Sequence, residues 1–277
     1  LDTDDNDDVT GTEIMAYLEQ ENIDYNGDGD INLRDVLDTD SPFSNGSDDD
    51  GNGYSDDFFG WDVSGVTGGD DNDPNPSTTG DPYYWAHGTN VAGLLGAATD
   101  NGIGMASISY NCRVVAVKCS RDNSSGQYIN DGYSGIYYAA RAGYYSDTFT
   151  IINNSWGGGG YSSYEQSQVN TAHNTYNALV LSSSGNGLDS GGDLYAAEYP
   201  AAYTNVVSVT ALSCSGNWGY WATYHETVDL SAPGEGIYSL GMNNGYESGI
   251  MGTSFSCPNA ASAFGLLRVY HPNMNND

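Results

Sequence analysis

Positive charge is what this chain lacks most. Six lysine and arginine side chains stand against 37 aspartates and glutamates in 277 residues, a formal net charge of −31. Nucleic-acid binding depends on lysine and arginine at the phosphates, and anionic membranes attract basic segments, so neither is a partner for this chain. Self-repulsion on this scale requires screening, by bound divalent cations or by high external salt. Long apolar runs are missing as well: no stretch approaches the about 18 consecutive apolar residues that read as a membrane span. Cysteine is sparse, at 112, 119, 214 and 257. Cys112 and Cys119 flank Arg-Val-Val-Ala-Val-Lys, a buried-strand pattern. An extended strand holds them roughly 23 Å apart, beyond the about 7 Å a disulfide spans, so they are expected not to pair. Cys257 is expected to be a small buried filler.

What is present is a pattern of strands alternating with helices. Residues 113–117, 149–153, 178–182 and 205–211 read as short strands, and 133–142 and 164–177 as the helices between them. Alternation of this kind implies an α/β domain with a mostly parallel sheet covered on both faces and an active site at the carboxyl ends of the strands. The length fits one such domain.

Residues 249–267 read Gly-Ile-Met-Gly-Thr-Ser-Phe-Ser-Cys-Pro-Asn-Ala-Ala-Ser-Ala-Phe-Gly-Leu-Leu. A tight turn opens a buried helix that is expected to start at about Ser254, with Pro258 in its first turn. The hydroxyl of Ser254 then lies at a helix N-terminus, where unpaired N–H groups and the dipole stabilise a developing anion. Taken alone, Ser254 reads as an N-cap serine, and it is the rest of the chain that points beyond that. A second segment, His87-Gly-Thr-Asn-Val-Ala-Gly, is expected to open another buried helix. A neutral imidazole near pH 7 is able to take a serine proton.

The two segments together, histidine before serine, resemble the histidine and nucleophile motifs of the subtilisin-like serine proteases. The resemblance implies a three-layer fold with a mostly parallel central sheet flanked by helices. It also implies a serine endopeptidase working through an Asp-His-Ser triad and an acyl-enzyme intermediate. Leu1-Asp2-Thr3 is similar to the end of the strand that carries the family's aspartate, so Asp2, His87 and Ser254 are the expected catalytic residues. A chain opening there is expected to be truncated, and the tail from His271 also looks cut. Asn154-Ser155-Trp156-Gly157-Gly158 resembles the substrate-binding strand, whose glycines leave the backbone free to pair with an extended peptide. Ser183-Ser184-Gly185-Asn186 resembles the segment with the oxyanion-hole asparagine. Asn186 is thus the expected oxyanion donor, and Ser155, Trp156, Gly157, Gly158, Ser184 and Gly185 are the expected substrate contacts. The binding strand carries no fixed charge, which points to an apolar or broad side-chain preference.

Residues 2–81 hold most of the acidic side chains, among many Gly and Asn. Asp24, Asn26, Asp28, Asp30 and Asp35 occupy oxygen-ligand positions of a twelve-residue calcium loop, with Gly29 at the sharp turn and Ile31 as its apolar contact. Asp48, Asp50, Asn52, Asp56 and Asp57 repeat the alternation, with Gly53 in the matching place. Structural Ca2+ is the expected cofactor; solvated turns are the plainer reading of the same residues. Asp2, Asp4, Asn6 and Asp8 alternate too, which gives Asp2 a rival role as a calcium ligand, although Asp7 stands where that loop wants glycine.

The expectation is therefore one peptidase domain over 1–277 with a calcium-binding insertion at about 4–82. It is expected to be secreted, monomeric, calcium-stabilised, made with an N-terminal propeptide, and active on proteins or peptides. The alternative is an inactive scaffold of the same fold acting as a calcium-dependent binding module. An esterase is disfavoured, because Gly252-Thr253-Ser254-Phe255-Ser256 is no Gly-x-Ser-x-Gly elbow.

Overall fold

A computed structural model describes residues 11–27, 29–65, 69–77, 79–110, 112–187 and 194–276. In chain order the elements are α1 (Gly11–Glu21), α2 (Arg34–Leu37), β1 (Gly60–Asp62), α3 (Pro82–Gly96), β2 (Ala116–Lys118), α4 (Gly132–Tyr145) and β3 (Ile151–Asn154). They continue with α5 (Ser163–Asn174), β4 (Leu179–Ser183), β5 (Val206–Leu212), β6 (Leu230–Pro233), β7 (Ile237–Leu240), β8 (Tyr246–Ile250) and α6 (Thr253–Tyr270).

The strands β3, β4, β5 and β6 form a parallel sheet in that order, with Ile152 opposite Val180, Val180 opposite Val206 and Val209 opposite Leu230. Alternate side chains of a strand point to opposite faces, and each face has its own cover. Ile152, Val180 and Val206 pack with Ile136 and Ala140 of α4 and with Val169 and Ala172 of α5. Leu179, Leu181 and Val209 pack on the other face with Cys257, Ala260 and Ala261 of α6. All five residues of β4 are buried, as a central parallel strand requires. The result is three layers, helix, sheet and helix, as expected.

The small residues of α6 let α3 approach it. Ser262 donates to the carbonyls of Leu94 and Leu95 at 3.2 and 3.0 Å. On its other side α3 meets β7 through Gly93, where a Cβ would lie 2.5 Å from Ser239 Oγ and 2.9 Å from the Leu240 nitrogen. Asn90 completes this seam by donating to the Leu240 carbonyl at 2.7 Å.

Three sequence expectations shift. The histidine helix begins five residues earlier than His87, at Pro82, because Asp81 caps it by accepting from the Tyr83 N–H and proline suits the first helical position. Pro258 lies in the second turn of α6 rather than the first. Residues 113–117 do not form a buried strand: the strand is Ala116–Lys118, Val114 and Val115 are exposed, and it pairs with β1 rather than with the four-stranded sheet. An apolar run alone does not distinguish the two settings. All four cysteines are free, and Cys257 is wholly buried against the sheet.

The acidic segment has an apolar centre of its own, in which Leu18 of α1 and Val36 of α2 are fully buried and Ile31, Phe43 and Phe59 pack around them. Its link to the rest is charged. Lys118 of β2 donates to Asp62 of β1 at 2.6 Å and also to Asp122. Burial alone would lower the lysine pKa, yet the two carboxylates outweigh it and hold the ammonium charged. Tyr138 of α4 adds a bond to Asp57 at 2.7 Å.

Candidate active site

The first turn of α6 is shaped by a missing donor. Pro258 has no N–H to give to the carbonyl four residues back, that of Ser254. The hydroxyl of Ser155, just past the end of β3, supplies the bond instead, at 2.7 Å. In return Ser254 Oγ donates to the Ser155 carbonyl at 3.2 Å. This reciprocal pair fixes the nucleophile candidate against the strand expected to bind substrate.

A second junction lies beside it. The side-chain oxygen of Asn186 accepts from both the N–H and the hydroxyl of Thr253, each at 2.9 Å. With its oxygen doubly engaged, the amide leaves its NH2 group on the side of Gly252, 3.6 Å from where a Cβ on that glycine would stand. The N–H of Ser254, second residue of the helix, has no acceptor within its own helix. The Gly185 N–H adds a bond to Thr253 Oγ1 at 3.3 Å that ties β4's end to the helix.

His87, Val91 and Leu94 recur on one face of α3, the spacing that turns them toward α6. Val91 and Leu94 pack against the buried Phe255, and the His87 ring lies 5.8 Å from the Phe255 ring, centroid to centroid. Phe255 is next in sequence to Ser254, so this contact sets the His87 ring against the first turn of α6. Among the described residues no hydrogen bond joins them. Burial holds the His87 imidazole below its ordinary value of 6.5, so the ring is neutral near pH 7 and free to accept a proton. Asp2 lies outside the described residues.

Of the expected substrate contacts, Gly157 and Gly158 are exposed, while Ser155 and Ser184 are buried. The Ser184 hydroxyl turns inward to the Thr223 carbonyl at 3.2 Å, which leaves only its backbone to face a ligand. Trp156 packs edge-on against Tyr133 at 5.3 Å. The Gly158 N–H is already committed to the Tyr199 carbonyl at 2.9 Å. Sequence reasoning missed Thr253, which orients Asn186, and Phe255, which places His87. Both lie inside the quoted serine motif, and only their packing reveals the roles.

The acidic loops are closed by their own carboxylates. Asp24 accepts from the N–H groups of Gly27 and Gly29 at 2.7 and 2.9 Å, and the fully buried Asp35 accepts from those of Asn26 and Asn32 at 3.3 and 2.8 Å. Asp28 lies outside the described residues. In the second loop Gly53 donates to Asp48, and the Asn52 amide bridges Asp50 and Asp57 at 3.0 Å each. Asp56 holds the turn at Asn45 and Gly46. Burial raises the Asp50 carboxyl, with the charges of Asp57 and Asp48 adding to the rise. Crowded oxygen donors of one sign suit a hard cation in chemistry. As placed, no three His, Cys, Asp or Glu side chains among the described residues form a metal cage.

The Thr253–Asn186 junction makes a prediction. Asn186→Leu removes the acceptor of a buried N–H and a buried hydroxyl, and should cost about 1–3 kcal/mol of stability, read from urea unfolding. An unchanged midpoint would show that the junction carries no weight.

Comparison with known proteins agrees with this geometry. The profile of the Subtilase family matches residues 30–277. Thermitase of Thermoactinomyces vulgaris is 33% identical over 71% of this chain and 64% of its own length. The halolysin-like extracellular serine protease Nep of Natrialba magadii is 30% identical over 75% of this chain and 35% of its own length. The solved structure of sphericase superposes with a TM-score of 0.63 at 27% identity, covering 78% of this chain and 71% of that one. The chain spans less than two thirds of these two sequence relatives. The profile covers most of the chain, the layer architecture agrees with it, and the chain belongs to the subtilases.

Proposed function

We propose that the chain is the catalytic domain of a secreted, calcium-stabilised serine endopeptidase, with the acidic insertion at about 4–82 part of that one domain. The observation that carries the reading is the convergence, at the start of α6, of the Ser254 hydroxyl, the Asn186 amide held by Thr253, and the His87 ring packed on Phe255. The Ser254 hydroxyl turns from the Ser155 carbonyl to the imidazole, loses its proton to His87, and attacks the scissile carbonyl carbon. The carbonyl oxygen becomes an oxyanion, held by the Asn186 amide and the Ser254 N–H. His87 passes the proton to the leaving amine as the C–N bond breaks. A water molecule then gives a proton to His87 and its oxygen to the acyl carbon, and the proton returns to Ser254 as the acid departs. Asp2, in this reading, orients the imidazole and stabilises its charged form. The peptide lies along Ser155 to Gly158, with Ser184 and Gly185 opposite.

Calcium has a structural part only. Asp24, Asn26, Asp28, Asp30 and Asp35 would hold one ion and Asp48, Asp50, Asn52, Asp56 and Asp57 a second, offsetting like charge that now crowds Asp50. The extracellular location is supported by relatives whose names carry it, and a monomer released from a propeptide completes the reading.

Two measurements test it. The chain should hydrolyse denatured casein, and Ser254→Ala should reduce the rate to background; equal rates would transfer the activity elsewhere, and no activity in either would favour the calcium-dependent binding module. Excess chelator should lower the unfolding midpoint, since calcium at 100 times its Kd contributes about 2.7 kcal/mol. A midpoint unmoved by chelator would remove calcium from the account.

A further inference from the structure

One half-buried acid is not used by this mechanism. Glu198 follows the Ser183 to Asn186 segment in sequence and returns to its side in space. A Cβ built on Gly185 would stand 2.3 Å from the Glu198 Cδ and Oε1, and one on Gly157 would stand 3.3 Å from Oε2. The carboxylate therefore fills the gap between the two glycine-lined segments that flank the peptide path. Gly185 has φ +109°, a conformation that favours glycine, and the missing side chain is what makes room for the acid.

Its backbone is held on both sides. The Tyr199 carbonyl accepts from the Gly158 N–H at 2.9 Å, an antiparallel bridge to the binding strand, and the Glu198 carbonyl accepts from the Ala202 N–H at 2.8 Å. Gly185 is also the residue before Asn186. The carboxylate therefore stands at the residue one along the chain from the proposed oxyanion donor.

We propose that Glu198 sets the specificity of the cleft, by pairing with a lysine or arginine side chain on the residue that donates the scissile carbonyl. The inference rests on the protease reading above and assigns its substrate class. Glu198 is half-buried and, among the described residues, forms no ion pair with a lysine or arginine. Burial raises its carboxyl, opposed only by a hydrogen bond from Thr223. Three of the chain's six cations are committed elsewhere: Lys118 to Asp62 and Asp122, Arg141 over the rings of Tyr137 and Tyr145, Arg268 over Phe149. An apolar side chain in the recess would strip water from the carboxylate without compensation, whereas a guanidinium or ammonium supplies charge-assisted hydrogen bonds. The net charge of −31 draws cationic peptides in the same direction. The uncharged binding strand had pointed to an apolar or broad preference; the charge comes from a loop far along the chain.

The test uses chromogenic peptides that differ only at that residue, with arginine, lysine, phenylalanine or leucine. The unaltered protein should show kcat/KM for arginine and lysine at least about 30-fold above phenylalanine, the scale of one partly buried charge pair. Glu198→Gln should remove that advantage while phenylalanine turnover stays level or rises, and Glu198→Asp should restore part of it. Phenylalanine or leucine cleaved as well as arginine by the unaltered protein would overturn the inference and leave the protease reading standing. A ratio unchanged in Glu198→Gln would do the same. No cleavage of any peptide would overturn both.

Discussion

The site depends on a proline that cannot make a bond. Because Pro258 leaves the Ser254 carbonyl without its helical donor, that carbonyl takes the Ser155 hydroxyl, and Ser254 answers through its own hydroxyl. An orphaned backbone acceptor in a buried helix would cost about 1–3 kcal/mol, so the partner is obligatory. The consequence is positional: the end of β3 and the start of α6 are joined at the proposed nucleophile. Thr253 performs the matching service for β4 by holding the Asn186 oxygen. Strand ends, helix start and amide orientation are therefore one hydrogen-bonded unit, built on the carboxyl edge of the parallel sheet.

Much of this was legible in the sequence, where local signals and burial agree. The runs at 149–153, 178–182 and 205–211 lie within a residue or two of β3, β4 and β5, because continuous apolar stretches between glycine- and polar-rich loops suit strands buried on both faces. The segments around Ser254, His87 and Asn186 were each visible as motifs, and the fold brings them together. What sequence did not give are relations between segments. Val114 and Val115 have the same apolar look as Val180, yet they lie outside the sheet and exposed. The Asp81-Pro82 start of α3 was passed over in favour of the histidine motif, although capping chemistry marks it plainly. Glu198 carried no signal at all, since nothing local distinguishes an acid that lands between two distant glycines.

Charge links the extremities of the molecule. A chain with six cations uses one of them, Lys118, in a nearly buried ion pair that joins β1 to β2 and so fixes the acidic segment to the remainder. The surplus carboxylates are disposed in two ways. Some fold their own loops, as Asp24, Asp35 and Asp56 do through backbone N–H groups. Glu198 stands between Gly157 and Gly185, where, as proposed, the surplus becomes selective. The same imbalance favours, in this proposal, a basic peptide.

The central claim is that this assembly activates one hydroxyl. The most direct measurement is reaction of the folded chain, in calcium, with a serine-directed fluorophosphonate, followed by mass spectrometric mapping of the adduct. The account predicts a single modified residue, Ser254, and loss of labelling in His87→Ala. Labelling that survives His87→Ala, or an adduct on another serine, would contradict it.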